Sequence, residues 1–573
     1  MLPGALAVLV AVLIVTYATY RTRTRSFKYP PGPRRLPLIG NLLQLPSRRQ
    51  WVKFREWALE YGPIYYLKAG PVDIFVLNTP EAAEDLLVKH NRIFGDRMAP
   101  HVAHDIVSAG QRMVFLPGES PEYKTIRKVL GTELGPAPSK GHRRIQELES
   151  RVVLYDLLSH GNKTAELMGE KLHARGSLHD TEFLEKHWFS LVRRFSTSIV
   201  LQVMYGERVH KIKENEALHD LYEVVDKFTD IMLPGSFLAD TFTFLQKLPD
   251  FLSPWRLEAQ RMHRRYEELS LYGGFLDRIR AEHNAGTSHQ ECFVGKYLED
   301  RGSKQREQAT AGCGLTPDGG WLRDTLLAYT AGTILEAGSD TTTSTITSFL
   351  LFMLRNPNVV QKAQEEIDRV VGRDRLPTFD DEQNLPYVVA IVKEVMRCRP
   401  AIPVGIPHRS TEDIIYNGYL IPKGSVVFGN IWAIHLDPDR FENPKEFNPD
   451  RWLKDSQIRW GSSGSLQARD NYAFGWGRRF CLGSSVAEAS LFIIVAQILW
   501  GLDLQGPKNP STGEVQSLDP WDEENFTTGA VMNAVPFNVS FQPRSEHHRE
   551  VIEHGFNDAQ EQWEMLGLKR DER

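Results

Sequence analysis

The residues FGWGRRFCLG, at positions 474–483, place Cys481 in a glycine-rich loop directly after two arginines. The chain has four cysteines and no CxxC pair, so zinc and iron–sulfur readings fail on ligand count. A lone thiolate can instead hold an iron that brings four other ligands with it, as a haem does. Glycines let backbone approach a flat macrocycle closely. The N–H groups after the cysteine, and the start of the apolar run AEASLFIIVAQILW, can stabilise negative charge on sulfur. Arg479 is available to a haem propionate. The bland rival is a buried structural cysteine beside a glycine turn.

A second stretch with chemical potential is AGSDTT, residues 337–342. It lies in the middle of one long helix expected over about 324–355, which Asn356-Pro357 ends. Gly, Ser, Asp and three successive Thr are poor helix formers. Ala337 and Gly338 have little or no side chain, so a ligand can lie against the backbone. Thr hydroxyls can bond a backbone carbonyl and open the helix ladder at one turn. The rival is a Thr-rich helix that simply packs on a neighbour.

The five positions Phe474, Gly477, Arg479, Cys481 and Gly483 follow FxxGxRxCxG, which resembles the haem-binding loop of the cytochrome P450 family. AGSDTT resembles that family's oxygen-binding helix, [AG]Gx[DE]T. The resemblance implies haem b with Cys481 as axial metal ligand. It puts Asp340 and Thr341 at the catalytic acid–alcohol pair, Thr341 holding oxygen and an ordered water, Asp340 relaying protons from solvent. The thiolate favours O–O cleavage.

The helix that holds this site together is expected at about 385–397, where Glu394 and Arg397 stand three apart on one face. By itself such a pair reads as a solvated surface bridge. The resemblance instead joins Glu394 and Arg397 to Arg451, of FNPDRW, in a buried structural cluster; Trp452 stands where Phe is commoner. Tyr123 and Arg127, four apart, match a WxxxR pattern with Tyr for Trp, and imply propionate contacts. His408, in IPVGIPHRS, matches another propionate position. Lys124, Lys128 and Arg478 are expected on the thiolate side, facing either solvent or an acidic electron donor.

Substrate is expected between four segments: residues 98–115, the helix just before Ala337, 401–406 and 526–529. Ile402, Val404, Ile406 and Phe526 are apolar, and Gly405 leaves room, which suits a lipophilic molecule. Arg97, Arg112 or His101 could meet a carboxylate.

Residues 1–20 read as a transmembrane anchor: 2–20 carry no charge and span about the ~20 residues a bilayer needs. Arg21, Arg23, Arg25 and Lys28 follow, which keeps the bulk of the chain cytosolic. Residues 21–41 form a basic, proline-rich hinge, 42–543 the catalytic domain, and 544–573 a charged tail that is a terminal helix or a disordered end. Two longer stretches, 131–185 and 300–320, read as surface loops or short helices. The resemblance implies a mainly α triangular prism with a small β region near the amino end.

A net charge of −5 gives no pull toward nucleic acid. Few, unpaired cysteines suit a reducing compartment. The sequons at Asn162, Asn525 and Asn538 are then chance matches. No flavin or nicotinamide motif is present, so electrons are expected from NADPH through a separate reductase, with cytochrome b5 as a second donor. The full expectation is a monomeric, single-pass endoplasmic reticulum monooxygenase that uses O2 on a lipophilic secondary metabolite. The rivals are a haem-thiolate isomerase, dehydratase or peroxygenase without reductase, and a non-catalytic haem sensor.

Overall fold

The computed structural model describes residues 28–160, 187–211, 216–232, 235–266, 268–286, 291–303, 310–453, 460, 469–506 and 519–568. The expected anchor and the start of the basic hinge, residues 21–27, lie outside these residues.

Helices dominate: α1 (Gln50–Tyr61), α2 (Pro121–Leu134), α3 (Arg143–His160), α4 (Trp188–Tyr205), α5 (Glu216–Ile231), α6 (Pro254–Tyr266), α7 (Glu268–Ala285) and α8 (Phe293–Ser303). They continue through α9 (Asp324–Arg355), α10 (Pro357–Val370), α11 (Pro386–Cys398), α12 (Ser484–Gly501) and α13 (Glu546–Met565). Local chemistry sets several ends. Ser120 caps α2 by accepting from Tyr123 N–H, with Pro121 in the first turn. Pro357 and Pro386 likewise open α10 and α11.

The β structure is not confined to the amino end. Strands β1 (Ile64–Ala69), β2 (Val72–Leu77), β3 (Asp96–Arg97), β4 (His408–Arg409) and β7 (Val426–Gly429) form a five-stranded sheet ordered β1-β2-β7-β4-β3. β2 and β7 run parallel, pairing Ile74 with Val426, and β3 sets Arg97 opposite His408. Pairing over such a separation leaves no local sequence signal. The hairpins β5 (Ile414–Tyr416) with β6 (Tyr419–Ile421), and β8 (Leu502–Gln505) with β9 (Ser540–Pro543), complete the β elements.

The main core gathers α3, α4, α9, α11 and α12. α12 is apolar all round and buried, so its membrane-like composition marks a core helix. α9 runs unbroken through its threonines; their hydroxyls bond carbonyls four residues back without opening the ladder. Gly338 serves helix packing: a Cβ there would lie 2.5 Å from Val200 on α4.

The region 131–160 is helical, while 161–186 falls outside the described residues. The carboxyl tail is a docked helix. Ser545 caps α13, and Phe556, Ala559 and a fully buried Trp563 pack on Leu148 and Val152 of α3. Arg544 grips Asp368 with two 2.8 Å bonds.

Candidate functional site

A cavity of about 480 Å³ opens between α9 and the loop before α12. Its lining includes Cys481, Phe474 and Gly483 from that loop, and Ala337, Asp340 and Thr341 from α9. The two sequence stretches thus meet across one space.

The loop is held from both ends. Cys481 N–H donates to Phe474 O at 3.0 Å. Gly477 has φ +50°, and a Cβ there would sit 2.3 Å from Leu87 O, so only glycine fits. Gly477 therefore shapes the loop and lies off the cavity wall. Burial raises the Cys481 thiol's pKa, while backbone N–H groups of Gly483 and Ser484 and the Arg127 charge pull it down.

Arg127 donates to Phe480 O at 3.2 Å. The Tyr123 hydroxyl donates to Arg478 O at 2.9 Å. Its one proton therefore braces the loop, where a propionate contact was expected. The Tyr123 ring carries the Arg479 guanidinium at 3.9 Å. Arg479 donates to the carbonyls of Gly95 (2.7 Å) and Leu116.

Arg97 joins this group, although the sequence suggested it only for a substrate carboxylate. Burial and the neighbouring Arg479 push it down to about 9. Its Nε is buried without a partner. Among the described residues, Arg97, Arg127 and Arg479 have no carboxylate within 4.0 Å. A half-buried cluster of cations without carboxylate partners fits an anionic ligand. His408 sits beside them, buried and neutral; its Nδ1 pairs with Phe94 O at 2.7 Å, and burial with Arg97 holds its pKa well below the usual value.

On the opposite wall, the Thr341 hydroxyl donates to Ala337 O at 2.7 Å and keeps its lone pairs. Asp340 is ion-paired with Arg193 of α4 at 3.1 Å, and the same Nη2 lies 3.1 Å from Asp226 of α5. Burial outweighs that charge and raises the Asp340 carboxyl's pKa. Arg193 carried no sequence signal.

Ile402, Val404, Gly405 and Ile406 line the cavity. Phe526 does not: its ring is buried against Arg399 at 4.0 Å, and Thr528 to Val531 reach the wall from the same turn. Neither Arg112 nor His101 is free for a carboxylate. Arg112 is bound by Glu268 and Glu336, and His101 pairs with Asp105 at 2.8 Å. Of the basic surface, Lys124 and Arg478 both pair with Glu119, and Lys128 is not salt-bridged among the described residues.

Beneath the loop, Glu394 is fully buried. It accepts from Arg397 Nε and Nη2 (both 2.8 Å), Arg451 Nε (3.0 Å), Asn448 N–H (3.0 Å) and Trp452 Nε1 (2.9 Å). The Glu–Arg–Arg cluster is formed, with an indole donor that a Phe would lack.

A thiol facing a cavity, a cationic nest beside it and an acid–alcohol pair opposite fit a haem-thiolate protein. The family model described as Cytochrome P450 matches residues 30–514. Cytochrome P450 monooxygenase 79 of Postia placenta is 44% identical, over 99% of each chain. Cytochrome P450 monooxygenase verL of Clonostachys rogersoniana is 34% identical, over 94% of this chain and 92% of its own. Cytochrome P450 monooxygenase virE of Hypocrea virens is 34% identical, over 95% and 92%. The chain belongs to the cytochrome P450 family.

Proposed function

We propose that this protein is a membrane-anchored haem-thiolate monooxygenase that inserts one atom of O2 into a lipophilic fungal secondary metabolite, on electrons passed from NADPH by a reductase. The observation that carries the reading is the placement of Cys481 and the Asp340–Thr341 pair on facing walls of one cavity. The fungal relatives, each named a monooxygenase, support both the reaction and the setting.

A haem held by Cys481 supplies dioxygen activation. Arg97, Arg127 and Arg479 bind and orient its propionates. Arg127 and the N–H groups of Gly483 and Ser484 favour the thiolate. Thr341 offers its hydroxyl lone pairs to the O–H of an ordered water. Asp340 holds a proton to higher pH than an ordinary Asp and passes it toward Thr341. Ile402, Val404 and Ile406 exclude bulk water.

An exposed apolar face supports the membrane setting. Leu38 (78% exposed) and Leu43 lie beside a second segment bearing Phe244 and Phe251 (81%). The segments meet at Gly70, whose N–H donates to Ile39 O and whose missing Cβ faces the Phe242 ring. Such a face suits a bilayer surface, in keeping with an endoplasmic reticulum membrane setting.

The test is full-length protein purified with a diflavin reductase. The reduced carbonyl complex should show the red-shifted Soret band of thiolate ligation, and Cys481→Ser should abolish it. Thr341→Ala should consume NADPH yet release peroxide in place of product. Intact turnover in both variants overturns the reading.

A further inference from the structure

Two carboxylates share one guanidinium on the cavity wall, in a cluster that the oxygen chemistry above does not use. Arg112 (2% exposed) donates from Nη1 to Glu336 Oε2 and from Nη2 to Glu336 Oε1 at 3.1 Å. Nη2 also reaches Glu268 Oε1 at 2.9 Å, and Nε donates to Ser108 at 2.8 Å. The Tyr272 hydroxyl donates to Glu336 Oε1, and Ser108 donates to Glu268 Oε2 at 3.1 Å. The Phe228 ring covers the guanidinium at 3.4 Å. The cluster therefore ties the 98–115 loop to α5, α7 and α9.

Arg112 and Glu336 line the cavity; Glu268 and Tyr272 lie behind them. Their unused hydrogen-bonding capacity is specific. Glu336 Oε2 accepts a single bond, from Arg112, so it can take one more donor. Arg112 Nη1 makes that bond only, so it keeps one N–H to give. A donor and an acceptor thus sit side by side on a wall otherwise formed by groups such as Val225, Phe228 and Ile334.

We infer that the Arg112–Glu336 pair is the substrate's polar anchor and that it takes an alcohol. This rests on the monooxygenase reading and deepens it. A hydroxyl donates to Glu336 Oε2 and accepts from Arg112 Nη1–H at once. An ether only accepts. A carboxylate would face two carboxylates against one cation. A protonated amine donates to Glu336 Oε2 but cannot accept from Arg112 Nη1. Burial raises the Glu336 carboxyl's pKa, which suits a neutral partner. Glu336 precedes Thr341 by five residues, roughly 7–8 Å along the helix axis. The anchored hydroxyl is therefore remote from the carbon that is oxidised. The substrate is already oxygenated, so a reaction that installs or unmasks a hydroxyl (hydroxylation, carbonyl reduction, hydration or ester hydrolysis) must precede this one.

Calorimetric titration of the full-length holoenzyme with decan-1-ol, 1-methoxydecane and decanoate tests this. The alcohol should bind at least about tenfold more tightly than the ether, the lower end of the range for one hydrogen bond to a charged group. Decanoate should bind most weakly. A smaller alcohol preference, or tighter binding of decanoate, overturns the inference, and this series needs no variant. Glu336→Gln should at least halve the alcohol-to-ether ratio while keeping haem and the carbonyl Soret band; an unchanged ratio overturns the inference. Loss of the Soret band in wild-type protein would instead sink the monooxygenase reading.

Discussion

Trp452 donates its indole N–H to Glu394 Oε2 at 2.9 Å, inside a cluster that water does not reach. Glu394 is a buried carboxylate that offsets its desolvation with five donors, and the indole is one of them. Trp452→Phe keeps an aromatic ring but leaves one lone pair unsatisfied. It should destabilise the fold by about 1.5–3 kcal/mol, the worth of a hydrogen bond to a charged group. Urea melts of the two proteins check this, and an unchanged midpoint would show that the indole is only filling space.

The cationic nest makes an opposite prediction for the haem-free and loaded states. Arg97 and Arg479 repel each other, and burial adds to the cost. Arg97→Gln should therefore leave haem-free protein equally or more stable. With haem bound, the same change removes a propionate partner and should speed haem loss. Transfer of haem to an apo-globin acceptor, beside thermal melts of haem-free protein, separates the two effects. Lower stability of the haem-free variant would mean that Arg97 is mainly structural.

Sequence made the near-neighbour parts of this site readable and hid the rest. The Cys481 loop, the 337–342 stretch and the Glu394–Arg397 pair each lie within ten residues, so spacing alone constrains their geometry. Arg97, Arg193 and Glu336 gain meaning only from partners far along the chain. An arginine at position 97 reads alike whether it meets Arg479 or solvent. Phe526 failed for a related reason: apolarity says that a ring is buried, not which of two adjoining spaces it fills. The docked α13 was half legible, because its Phe556 and Trp563 are spaced for one helix face but the surface they cover belongs to α3.

Arg193 sets the charge around Asp340. Its guanidinium lowers the Asp340 pKa against the upward push of burial. Arg193→Gln removes only the lowering influence, so the pKa should rise further. Because protonated Asp340 hands its proton toward Thr341, the basic limb of product formation should move to higher pH in this variant. Asp340→Asn should erase that limb. Product formed per NADPH, measured across pH, distinguishes these outcomes from a uniform loss of activity, which would mark Arg193 as purely structural.

The carboxyl-terminal helix should behave as part of the core. Trp563 is fully buried, and Arg208 lies over its ring at 5.0 Å. Trp563→Ala should cost about 3–5 kcal/mol, as other large-to-small changes in packed interiors do. Trp563 packs against α3 and does not line the cavity, which predicts an unchanged carbonyl Soret band in whatever fraction folds. Denaturant melts and the spectrum together check this.

Acid should destabilise the protein through histidines that work only when neutral. His187 Nδ1 accepts from Phe189 N–H at 3.1 Å, and His435 Nε2 accepts from Tyr472 N–H at 2.9 Å. A protonated ring cannot accept at those atoms. Burial holds His187 down to about 3 and His435 well below its usual value. The unfolded chain binds these protons near pH ~6.5, while the folded chain refuses them, so stability falls as pH drops below that point. Each such group contributes about 1.4 kcal/mol per pH unit until its folded pKa is reached. His187→Asn keeps an acceptor for Phe189 but cannot titrate, so its stability should fall less steeply between pH ~6.5 and ~5. Equal slopes for wild type and variant, in melts across that range, would show that His187 takes no part.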